Sequence, residues 1–173
     1  LAKYFIDERG TEPHYFDIEA RRDGRDPKNF VMGSYEYSQS HKPVRQQDKV
    51  VGHAVRAMYL YSGMADIATE YNDDTLTAAL ERLWDDLTAK QMYITGGIGP
   101  AAANEGFTGY YDLPNESAYA ETCASVGLVF WASRMLGRGP DRRFADVMEI
   151  ALYNGALAGL SLDGKTFFYE NVL

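Results

Sequence analysis

Four polar features carry the residue types that could act on a substrate. Glu105 stands in a loop rich in glycine, Thr95-Gly96-Gly97-Ile98-Gly99-Pro100 through Glu105-Gly106-Phe107. A carboxylate on such a loop can reach into a cleft, and an apolar neighbour such as Phe107 can raise its pKa enough for proton donation. The competing reading is a solvated loop glutamate. Glu121-Thr122-Cys123 follows where the loop gives way to helical spacing. Carboxylate oxygen and thiolate sulfur are both zinc ligands, and thiolate is favoured near a helix N-terminus. Residues two apart on a regular helix diverge by about 200°, so this pair shares a metal only where the backbone is not yet helical. Otherwise Cys123 is a buried, inert cysteine. His53 sits among apolar positions and either contacts a sugar hydroxyl or is a satisfied, partly buried group. Glu149 interrupts the apolar run Val147-Met148-Glu149-Ile150, and a carboxylate on a buried face needs a partner or a ligand. Tyr169 extends from the last segment.

Those residues must be positioned by helices. Apolar residues recur at three- and four-residue steps over 46–71, through Val50, Ala54, Met58 and Ala65, which predicts a helix with one buried stripe. Asn72-Asp73-Asp74 gives a turn and an N-cap, and Leu76, Leu80, Leu83 and Leu87 mark a second helix over about 75–91. So short a turn makes the two antiparallel. The loop over 93–117 is long for a helical chain, and long loops are often functional. Helices over about 118–136 and 141–157 form a second hairpin, separated at Gly139-Pro140. Asp163-Gly164 is a turn, and 165–169 alternates as a short strand. At the other end, residues 1–8 read as a helix tail and 9–33 as a turn-rich connection with one short helical turn. The expected fold is therefore all-α, built of helical hairpins, with a short β segment at the C-terminal end.

Composition narrows the function. The chain has 173 residues, 46% of them apolar and 24% charged, as for one globular domain. Its net charge of −8 argues against nucleic acid and anionic membrane as partners. Cys123 is the only cysteine, which excludes an internal disulfide. No apolar run approaches the ~18 residues of a membrane helix. No signal-peptide pattern follows Leu1, and a cytoplasmic location is favoured. Both ends look cut, so residues 1–173 read as a partial domain. The sequence holds no phosphate-binding loop, no Gly-x-Ser-x-Gly elbow and no His-Glu-x-x-His.

Taken in order, the strings His41-Lys42-Pro43-Val44-Arg45, Gly52-His53-Ala54-Val55-Arg56-Ala57, Tyr93-Ile94-Thr95-Gly96-Gly97-Ile98-Gly99, Asn104-Glu105-Gly106-Phe107, Tyr111-Asp112-Leu113-Pro114-Asn115, Tyr119-Ala120-Glu121-Thr122-Cys123, Leu152-Tyr153-Asn154 and Phe167-Phe168-Tyr169 resemble glycoside hydrolase family 127, the β-L-arabinofuranosidases. The resemblance spans about residues 35–173. It implies an (α/α)6 barrel, of which four clear helices make an arc. It implies Glu105 as the acid/base, Glu121 and Cys123 as zinc ligands, and His53, Glu149 and Tyr169 as contacts to the sugar. It further implies a retaining mechanism whose nucleophile, a zinc-bound cysteine, belongs to a Cys-Cys pair that this chain lacks. The implied partner is an arabinofuranoside-containing glycan or glycopeptide.

The main expectation is a glycosidase that is inactive as 173 residues alone, binds zinc weakly with two of about four ligands, and self-associates through uncovered helix faces. The alternatives are a non-catalytic carbohydrate-binding or scaffold protein on the same frame, and another six-hairpin sugar enzyme such as an epimerase. An epimerase would require histidine acid/base partners, and only His14, His41 and His53 exist.

Overall fold

The computed structural model describes residues 1–29 and 33–172. The turn-rich stretch after residue 8 contains a second short helix, and its residues 30–32 lie outside the described set. Helices α1 (Ala2–Glu8) and α2 (Tyr15–Arg22) precede two hairpins, α3 (Ala54–Glu70) with α4 (Asp74–Lys90) and α5 (Thr122–Arg138) with α6 (Arg142–Ile150). The described residues hold no named strand, so the all-α reading stands.

Helix α3 begins later than the apolar spacing predicts, and the cause is tertiary. The Val50 amide donates to Asp86 Oδ2 at 2.8 Å, and Gln91 Nε2 donates to the Val50 carbonyl at 3.0 Å, so this segment is pinned extended against α4. Gly52 then takes φ +75°, outside helical space, where a Cβ would lie 1.9 Å from the Glu36 carbonyl oxygen. Val50 and Val51 are buried by this segment rather than by a helical stripe. His53 caps α3, its Nδ1 accepting from the Arg56 amide.

The hairpin turns are capped as their sequences require. Asp73 Oδ1 accepts from the Thr75 and Leu76 amides at 3.0 Å each, and Asp141 Oδ1 accepts from the Arg143 amide at 2.8 Å. Arg45 ties α1 to the first turn, reaching Asp7 and Asp73 at 2.7 Å each. Between the hairpins lies a core of aromatic rings. Trp84 meets Trp131 at 4.9 Å and Phe144 at 4.7 Å, and Tyr61 meets Trp131 at 4.9 Å. Full burial of each such side chain contributes ~1.5–3 kcal/mol.

The C-terminal part departs from expectation twice. Helix α6 stops at Ile150, and a wide π turn over Ala151–Ala156 replaces the rest of the helix foreseen to residue 157. Gly155 lets this turn sit on Ser125 of α5; a Cβ there would lie 2.3 Å from Ser125 Oγ. The strand foreseen over 165–169 reduces to isolated antiparallel bridges, Leu160 with Phe167 and Glu121 with Glu170. Its neighbours are the Asp163-Gly164 turn and the start of a helix, and neither offers an extended edge. The tail nevertheless docks on α5, with the Thr122 amide donating to the Tyr169 carbonyl at 2.9 Å and Thr122 Oγ1 to the Phe168 carbonyl at 2.7 Å.

Candidate active site

The long loop is not slack. Its tip folds back through bridges between Ala101 and Gly106 and between His53 and Gly106. The Ala54 amide donates to the Glu105 carbonyl at 3.0 Å, and the Phe107 amide to the Gly52 carbonyl at 2.9 Å. Gly106 makes this approach sterically open: a Cβ there would stand 1.9 Å from the Gly52 carbonyl oxygen. Glu105 itself adopts φ +49°, a left-handed conformation that non-glycine residues rarely take. Such backbone costs of order 1–3 kcal/mol and collects at functional sites.

The result aims Glu105 at the start of α3. Its Oε2 lies 3.0 Å from His53 Nε2, and its Oε1 accepts from the Tyr119 hydroxyl at 3.3 Å. The carboxylate side chain is 42% exposed while His53 is 12% exposed, so the acid opens to solvent above a mostly covered imidazole.

Tyr119 carries the arrangement across to the second cluster. Its ring meets Tyr169 edge-on with centroids 6.2 Å apart. The Tyr169 hydroxyl donates to Glu121 Oε1 through a short hydrogen bond and lies 3.9 Å from Cys123 Sγ. Glu121 is the N-cap of α5, with φ −54° and ψ 138°, outside the regular helix. That is the condition under which residues two apart can face one site. Ala120, at φ +36°, makes the bend just before it.

The electrostatics of this second cluster suit a cation. Glu121 is 2% exposed, and its Oε2 is buried with no hydrogen-bond partner. Burial first, then the Glu121 charge, pushes the Cys123 thiol above its ordinary range. The hydrogen bond to Glu121, reinforced by burial, raises the Tyr169 hydroxyl, and burial with the charges of Glu121 and Glu105 pushes Tyr119 up to about 12. A carboxylate with an orphaned oxygen beside a sulfur fits half of a zinc site, of which the tetrahedral whole takes about four donors. No group of three or more His, Cys, Asp or Glu able to hold a metal occurs among the described residues.

Five of the six residues singled out from the sequence thus meet in one chain of contacts: His53, Glu105, Tyr169, Glu121 and Cys123. Glu149 does not join it. The buried positions of α6 are Phe144 and Val147, followed by Ala151, which leaves Glu149 exposed, without a hydrogen bond or ion pair among the described residues. The burial inferred from its apolar neighbours is corrected accordingly. Tyr119, the residue that joins the two clusters, was not distinguishable in the sequence from an ordinary core aromatic. Of the three imidazole rings only that of His53 reaches a carboxylate among the described residues; His14 is buried, stacked on Tyr35 at 3.9 Å with its Nε2 on the Ser40 carbonyl.

The helical frame thus joins the Glu105 carboxylate, through the Tyr119 and Tyr169 rings, to a buried carboxylate beside a sulfur. Residues 1–173 match the family described as Beta-L-arabinofuranosidase, GH127 catalytic domain, and the chain belongs to that family. It is 41% identical over 175 residues to the non-reducing end beta-L-arabinofuranosidase of Bifidobacterium longum subsp. longum, a match covering 100% of this chain and 27% of that protein. It superposes on a GH127 beta-L-arabinofuranosidase from Geobacillus stearothermophilus T6 with a TM-score of 0.94 at 53% identity, covering 99% of this chain and 27% of the other. A second GH127 beta-arabinofuranosidase structure gives a TM-score of 0.84 at 45% identity, over 99% of this chain and 24% of its own. The chain thus spans about a quarter of the length of these relatives.

Proposed function

We propose that the polypeptide carrying this chain releases L-arabinofuranose from the non-reducing ends of a glycan or glycopeptide, with retention of anomeric configuration. The observation that carries this reading is the continuous contact from His53 through Glu105, Tyr119 and Tyr169 to Glu121 and Cys123. Retaining hydrolysis needs an acid on one side of the sugar and a nucleophile on the other, with the acid serving later as base.

Glu105 is the proton carrier. In the first step it donates to the departing glycosidic oxygen, and as a carboxylate it then takes a proton from water. His53 and Tyr119 fix its two oxygens, which limits the rotamers it samples. Tyr169 and the exposed Glu149 are assigned to hold sugar hydroxyls. Glu121 and Cys123 would hold zinc, and zinc when bound keeps cysteine sulfur ionised and oriented. Cys123 is the only cysteine of the chain, so the attacking group is assigned to another part of the polypeptide, and residues 1–173 alone are expected not to turn over.

The test is hydrolysis of an aryl β-L-arabinofuranoside by the full-length polypeptide. Glu105→Gln should lower kcat/KM by about 10²–10⁴-fold, the range for general acid–base catalysis. Glu121→Gln should lower zinc content by elemental analysis. An active Glu105→Gln variant, or release of the inverted sugar by NMR, would overturn the assignment.

A further inference from the structure

A surface cavity of about 400 Å³ is lined by Arg9, Ser38, Val55, Arg56, Tyr59 and Leu60 among others. Two arginines face it, and neither forms an ion pair among the described residues. Of the other arginines, Arg21, Arg22, Arg25, Arg45, Arg134 and Arg143 meet carboxylates, while Arg82 and Arg138 donate to uncharged oxygens instead. What sets Arg9 and Arg56 apart is that they line one cavity together without a carboxylate, in a chain with 25 Asp and Glu against 17 Lys and Arg. Two unpaired guanidiniums repel each other unless an anion separates them, and burial strengthens that repulsion. Burial and the Arg56 charge together push Arg9 below its usual range.

The cavity also holds an unmet hydrogen-bonding group. Ser38 is 3% exposed and its hydroxyl has no partner, although the Arg9 guanidinium donates to the Ser38 carbonyl. Arg56 is held over the Tyr37 ring, 5.3 Å from guanidinium carbon to centroid, which fixes the plane of its fork. The far edge of the arrangement touches the active site, since Tyr37 meets the His53 ring edge-on at 5.4 Å. Val55, Leu60 and the Tyr59 ring supply apolar walls for an organic body behind a charged head.

We propose that this cavity is an oxyanion site that takes a carboxylate or phosphate group between Arg9 and Arg56, with the Ser38 hydroxyl as a further donor. Guanidinium forks bind both groups in bidentate fashion, and the volume falls within the ~300–1,000 Å³ of ordinary small-ligand sites. The site stands one aromatic ring away from His53. An acidic group on the same glycan or a free phosphorylated metabolite would each satisfy its chemistry.

The experiment is calorimetric titration of the full-length polypeptide with inorganic phosphate and, separately, with glucuronate, with glucose as the neutral control. Saturable binding of either anion, absent for glucose and weakened by salt, is expected. Stronger phosphate binding identifies the phosphorylated source, and stronger glucuronate binding the acidic sugar. Arg56→Gln should weaken the preferred anion by about 10-fold or more, the loss of one charge-assisted pair. Ser38→Ala, which removes a buried hydroxyl with no protein partner, should weaken it less and serves if the arginine variant fails to fold. No saturable heat with either anion up to about 50 mM, an affinity too weak to register as a specific site, or unchanged affinity in a folded Arg56→Gln or Ser38→Ala variant, would overturn the proposal.

Discussion

Adding one methyl group at Gly106 tests whether the loop tip is positioned by contact with the start of α3. In Gly106→Ala the new Cβ would lie 1.9 Å from the Gly52 carbonyl oxygen, 2.6 Å from its carbon and 2.9 Å from His53 Cα. Carbon and carbonyl oxygen usually approach to about 3.3 Å, so the loop must withdraw by roughly 1.4 Å. The atoms in the way are backbone, which cannot rotate aside. Withdrawal lengthens the Phe107 amide bond to Gly52 (2.9 Å) and the Ala54 amide bond to Glu105 (3.0 Å). Two hydrogen bonds at ~0.5–1.5 kcal/mol each give a loss of about 1–3 kcal/mol in stability. The same movement carries Glu105 from its 3.0 Å contact with His53. Misplacement of a reacting group by about 1 Å can cost ~10²-fold in rate. The assays are urea unfolding and kcat/KM of the full-length polypeptide on an aryl β-L-arabinofuranoside. A variant with wild-type stability and kcat/KM within about threefold (less than 1 kcal/mol of barrier) would refute the clamp.

Tyr119→Phe removes the hydroxyl on Glu105 Oε1 and should lower kcat/KM by about 10-fold, the value of one hydrogen bond to a charged group. The loss should be larger for glycosides with poor leaving groups than for nitrophenyl substrates; an equal loss on both would mean that the ring merely supports the fold. Asp73→Ala should cost about 1–2 kcal/mol through the lost α4 cap and Arg45 pair. Hydrogen bonds from Thr75 and Arg45 hold the Asp73 carboxyl well below its usual range, so its contribution is present above pH ~4, the unfolded value, and declines as pH falls further. Denaturant midpoints of wild type and variant should therefore converge in acid, and a gap that widens there would contradict the assignment. Glu149→Gln should leave stability within about 0.5 kcal/mol, as for a surface site, while raising KM for the arabinofuranoside; a large fall in melting temperature would show a structural role instead.

The α3–α4 and α5–α6 hairpins were legible because their buried stripes repeat locally and Asp73 and Asp141 cap them in sequence. The start of α3 was not, because Val50 is buried by bonds to Asp86 and Gln91, some forty residues away, and apolar spacing carries no record of such partners. Glu149 misled for a related reason: its neighbours are apolar, but full burial falls on Val147 and Ala151, with Met148 only partly packed against the core, and Glu149 turns to solvent. Glu105 was visible as a carboxylate in the middle of an unusually long loop, and Glu121 and Cys123 as metal-ligand types where that loop gives way to a helix. Their convergence was not, because it depends on left-handed backbone at Glu105 and Ala120 and on the Tyr119 ring between them.

The wide turn over Ala151–Ala156 sets the phase of everything after it. Each residue advances the spiral by about 100° in an α-helix and by less in this wider turn, so deleting one residue there would swing the returning tail around the helix axis. Tyr169 reaches Glu121 and Cys123 only along that return path. This six-residue stretch therefore acts as a rotational adjuster for an aromatic more than ten positions downstream. Length changes within it should alter sugar handling more than changes of residue identity do.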